Sequence, residues 1–113
     1  MEKLQAIYQG STCVTVFAYA DGQDGDGNFK LVFKLEHKGH QSFGQKFTAA
    51  FDNSFSVVEV PGDVKAEVSD NRLTIQRHNQ LNDTGMTEVW IKLKADKQPK
   101  VLEINDVMCC KED

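Results

Sequence analysis

The chain has 113 residues, 40% of them hydrophobic and 27% charged, with a formal net charge of −4. Residues 1–113 are long enough for one domain around one core, and the acidic balance argues against nucleic acid, whose phosphates call for a basic patch. No apolar run approaches the ~20 residues of a membrane-spanning helix, so no membrane partner is expected.

The N-terminal residues Met1 to Gln5 are not followed by the apolar stretch of a signal peptide. The expectation is a mature domain of a secreted protein; the alternative is a cytoplasmic protein. Leu4 to Tyr8 reads as a short edge strand ended by Gly10. Ser11 to Tyr19 reads as a second strand. Val14, Val16 and Ala18 alternate with Cys13, Thr15, Phe17 and Tyr19, so both faces carry apolar groups and the strand is expected to be central.

The stretch from Asp21 to Asn28 is an Asp/Gly turn, because Gly supplies positive φ and Asp or Asn side chains bond their own backbone. It also offers a calcium reading, with Asp24, Asp26 and Asn28 as ligands. Counted from Asp24, the sixth and twelfth places of an EF-hand loop hold Phe29 and Leu35 where Gly and Glu are needed. The turn is the main expectation, and calcium the only cofactor considered.

Phe29 to His37 is a long strand with Phe29, Leu31, Phe33 and Leu35 facing in and Lys30, Val32, Lys34 and Glu36 facing out. After Lys38-Gly39-His40, the strand from Gly44 to Phe51 turns Phe47, Ala49 and Phe51 inward. Phe55 to Val60 follows, then a Pro61-Gly62-Asp63 turn. Val64 to Ser69 and Leu73 to Arg77, joined at Asp70-Asn71, make the clearest hairpin. His78 to Gly85 is a polar loop with a sequon at Asn82-Asp83-Thr84.

Met86 to Ala95 has the cleanest period of two. Val89, Ile91 and Leu93 share one side; Glu88, Trp90, Lys92 and Lys94 share the other. This puts the only Trp on the wet face. The last strand runs from Val101 to Val107. About nine strands with regular turns and no amphipathic helix give the expected fold class: an all-β antiparallel sandwich, immunoglobulin-like or jelly-roll, filled by Phe29, Phe33, Phe47, Phe51 and Phe55.

Catalysis is not expected. No feature brings Cys13, Cys109 or Cys110 together with His37, His40 or His78, and no Gly-rich elbow surrounds a nucleophile. A disulfide from Cys13 to Cys109 or Cys110 would tie the chain ends together, a closure of about 4–5 kcal/mol in the chain-entropy model.

From Phe29 to Cys109 the chain resembles the sandwiches of family 2 type carbohydrate-binding modules and of cohesins. The residues that carry this are Phe47 to Asp52 followed by Phe55 to Gly62; Asn71 to Ile75, Leu81 and Gly85 ahead of the Trp90 strand; and Cys13 with Cys109, which looks like the end-to-end disulfide of family 2 modules. Family 2 modules use several exposed Trp, and this chain has one. The resemblance supports the fold more than the ligand.

The leading expectation is a non-catalytic polysaccharide-binding module. Trp90 would stack on the sugar, helped by Tyr19, while Glu88, Lys92 and Gln76 bond its hydroxyls. The alternatives are a protein-docking module that uses a sheet face, as cohesins do, or a small cytosolic or effector protein with a protein partner.

Overall fold

The structure is a computed structural model that describes residues 7–10, 14–37, 43–78 and 86–111. Every regular element among them is a strand: β1 (Ile7–Gly10), β2 (Val14–Gln23), β3 (Phe29–His37), β4 (Phe43–Phe51), β5 (Ser56–Glu59), β6 (Val64–Ser69), β7 (Arg72–His78), β8 (Met86–Lys94) and β9 (Val101–Lys111). They form two antiparallel sheets, one of five strands ordered β1-β2-β3-β8-β5 and one of four ordered β6-β7-β4-β9. The chain changes sheet after β3, β4, β5, β7 and β8. Strands distant in sequence therefore become neighbours, and β8 pairs with β3.

The alternating apolar positions of both sheets meet in one cluster. Val16, Leu31, Phe33, Leu35, Val89, Ile91 and Leu93 come from the five-stranded sheet; Phe47, Ala49, Leu73, Ile75 and Ile104 come from the other. The rings of Phe33 and Phe47 join the two, with centroids 5.1 Å apart at a tilt of 59°, a favoured aromatic geometry. Phe51 and Phe55 make an edge contact at 4.7 Å. All five expected core phenylalanines are buried. Fully burying such a side chain contributes about 1.5–3 kcal/mol.

Strand boundaries move from the expected ones for local reasons. β2 continues through Asp21 and Gly22 to Gln23 because a bulge between Ala20 and Gln23 absorbs them, and Gly22 takes the positive φ of 79° that the bulge needs. The expected turn at 21–28 therefore shrinks to its last residues. β9 runs beyond Val107 to Lys111. It carries one extra residue between its pairs Lys46↔Met108 and Thr48↔Asn105, where Asp106 adopts a φ of 56°. The described part of the first strand is Ile7–Gly10, and the expected start at Leu4 lies outside the described residues. The β6–β7 hairpin lies where the sequence puts it, with Ser69 opposite Arg72 and Asp70 at a φ of 55°.

Two of the large apolar residues left exposed sit at register shifts. Val58 falls between the pairs Val57↔Leu93 and Glu59↔Lys92. Leu102 falls between Glu103 and Val101, which face Ala50 and Phe51. Each follows an inward-facing neighbour, Val57 or Val101, so alternation turns it outward, and the shift leaves it without a paired residue to cover it. Cys13 and the sequon at 82–84, and with them the expected disulfide to Cys109, lie outside the described residues.

Candidate functional site

The outer face of the five-stranded sheet is set by the registers of three strands. On β2, β3 and β8, Tyr19 faces Val32 and Val32 faces Trp90. One step along the strands, Phe17 faces Lys34 and Lys34 faces Glu88. One step the other way, Lys30 faces Lys92, and Asp21 of the β2 bulge supplies the neighbour on the β2 side. An aromatic–aliphatic–aromatic row thus crosses the strands between two charged rows.

Tyr19, Asp21, Lys30, Val32, Lys34, Glu88 and Trp90 line a shallow groove of about 390 Å³. Trp90 is half-buried and so is Tyr19. Val32 sits on the outward side of β3 as expected, yet it is only 8% exposed, because the two large side chains beside it cover the strand. Tyr19 and Trp90 stand two strand spacings apart, about 9.6 Å between backbones.

The charged groups around the row are paired. Lys34 Nζ lies 3.7 Å from Glu88 Oε2 and 5.2 Å from the centroid of the Tyr19 ring, within cation–π reach. Lys30 Nζ lies 3.4 Å from Asp21 Oδ2. Two lysines directly opposite each other, Lys30 and Lys92, would repel. Lys92 is compensated by Asp24 Oδ2 at 3.4 Å and Glu59 Oε1 at 3.6 Å.

Asp24 explains how the turn between β2 and β3 is built. Its Oδ1 accepts the backbone N–H of Asp26 at 2.9 Å and of Asn28 at 3.0 Å, and its Oδ2 accepts from the Asn28 side-chain amide at 3.3 Å. The backbone closes through Asp24 N to Asn28 O at 2.9 Å, with Gly27 at a φ of 83°. The Asn28 N–H contributes most to holding the Asp24 carboxyl below the ordinary carboxylate value, and the Asp26 N–H, the Asn28 amide and the Lys92 ammonium add to it. The residues considered as calcium ligands are thus engaged with one another and with a lysine. Among the described residues no group of three or more His, Cys, Asp or Glu side chains is placed to hold a metal ion.

Of the expected sugar-binding residues, Trp90, Tyr19 and Glu88 come together in the groove, and Lys92 stands one row away. Gln76 does not join them. It lies on β7 in the four-stranded sheet, opposite Lys46 and Lys65. Its place in the sequence gives a strand position but not a sheet. Lys30, Val32, Lys34 and Asp21 complete the groove, and the sequence pattern alone does not mark them as site residues. Their alternation on β3 gives the outward face, but only the β2–β3–β8 pairing puts them beside the aromatics.

Among the described residues no helix is long and apolar enough to cross a membrane. No family model matches the chain, and no curated protein matches it.

Proposed function

We propose that the chain is a β-sandwich of the immunoglobulin-like or jelly-roll kind that binds a polysaccharide, without catalysis, on the outer face of its five-stranded sheet. The observation that carries this reading is the row Tyr19–Val32–Trp90, two rings flanking an aliphatic floor inside a shallow groove. The apolar face of a sugar ring packs on such a surface, and the hydroxyls at its rim need charged or polar partners. Lys30 and Lys34 supply donors there, and Asp21 and Glu88 supply acceptors.

The resemblance to family 2 modules agrees with this use of a sheet face, although those modules use several Trp and this chain has one.

Depletion of the protein from solution by insoluble cellulose, chitin, xylan or mixed-linkage glucan tests the reading. The wild type should be retained by at least one of them. Trp90→Ala should lose retention while keeping a cooperative thermal melt. Glu67→Ala, on an exposed strand of the other sheet, should behave as wild type. A wild type that no polysaccharide retains contradicts the reading.

A further inference from the structure

Resting on the glycan-binding reading, we propose that the groove takes a neutral glycan chain laid across the strands, with alternate rings on Tyr19 and Trp90 and the ring between them over Val32. The direction comes from the register. The apolar row runs from β2 over β3 to β8, perpendicular to the strands. The Lys34–Glu88 pair borders it on one side and the Lys30–Asp21 pair on the other. A chain following β3 or β8 would have to climb over charged side chains after a single ring, and one following β2 over Tyr19 and Phe17 would leave Trp90 unused. A chain crossing them keeps to the apolar floor and meets both aromatics, about 9.6 Å apart, a span suited to rings within one short oligosaccharide.

The neutrality comes from the charge balance. Around the groove, the ammonium groups of Lys30, Lys34 and Lys92 meet the carboxylates of Asp21, Glu88, Asp24 and Glu59, all at 3.4–3.7 Å. Each cation already has an acid beside it. A uronate carboxylate could draw Lys34 or Lys30 only by leaving Glu88 or Asp21 facing its own negative charge, a like-charge contact that disfavours the complex. Sugar hydroxyls leave both pairs in place. Each ammonium has three donors and each carboxylate several lone-pair sites, so hydrogen bonds to the ligand can be added without breaking the pair.

The test is calorimetric titration of the intact chain at low salt with cello-oligosaccharides and with oligogalacturonates, each from the monomer to the tetramer. The expected result is affinity that climbs with length until both rings are spanned, and a neutral-over-uronate preference of about tenfold or more. Tyr19→Ala and Trp90→Ala should each weaken neutral binding by about tenfold. Glu88→Gln, which leaves Lys34 without that carboxylate, should narrow the preference by strengthening uronate binding. Should Trp90→Ala fail to melt cooperatively, Tyr19→Ala and Glu88→Gln carry the test. Uronates binding as tightly as neutral chains, or Tyr19→Ala binding like the wild type, overturn the inference and leave the glycan-binding reading standing. Binding of neither series also overturns the inference, and the glycan-binding reading falls with it only if no polysaccharide of the retention assay holds the wild type.

Discussion

Asp24 combines two tasks in one side chain. It closes the β2–β3 turn through the N–H groups of Asp26 and Asn28, and it offsets Lys92 where that lysine faces Lys30. Its carboxyl is held below its ordinary value of 3.8. A group whose folded value is depressed stabilises the fold above the unfolded value, and that stability is lost as pH falls through the folded one. Thermal melts between about pH 5 and pH 2 should therefore show a drop in stability that is shallower in Asp24→Asn, which has no carboxylate to protonate. Asp70 is a second informative residue. At a φ of 55° a short polar side chain is tolerated and a β-branched one is not. Chemical denaturation should find Asp70→Gly close to wild type and Asp70→Val less stable by about 1–2 kcal/mol.

At the scale of elements, the strands were legible because their periods are clean. Phe29, Leu31, Phe33 and Leu35 on β3, and Val89, Ile91 and Leu93 on β8, are buried as the alternation requires, with Trp90 on the opposite face. What the period could not give is the partner of each strand. β8 pairs with β3 although more than fifty positions separate their midpoints in the chain, and Gln76 belongs to the other sheet. Bulges were equally hidden, since an extra residue such as Asp106 looks like an ordinary strand position until the neighbour's register is known. Arg77 shows a further gap. It continues the inward side of β7 after Leu73 and Ile75 and is only 7% exposed, where the pattern alone would call for an apolar residue. Its Nε donates to Asp63 Oδ2 at 3.2 Å, which ties the turn before β6 to β7. Since Asp63 is partly exposed, Asp63→Ala should cost about 1–3 kcal/mol in denaturant titrations, less than the loss of a fully buried partner.

On the scale of the whole molecule, the two sheets share one apolar cluster, and the Phe33–Phe47 contact joins them. Truncating either ring to Ala should cost about 3–5 kcal/mol. A double-mutant cycle should return a coupling of about 0.5–1.5 kcal/mol, as a direct ring contact requires. This packing makes the outer face of β2, β3 and β8 a rigid platform: the inward side chains fix the strands, and the strands fix the spacing of Tyr19 and Trp90. The chain has a single Trp, so tryptophan emission reports on that platform alone. The most direct measurement is the emission spectrum of Trp90 titrated with a soluble neutral oligosaccharide. A saturable blue shift that is lost in Tyr19→Ala is the predicted result. A spectrum unmoved by neutral and acidic glycans alike would contradict the account.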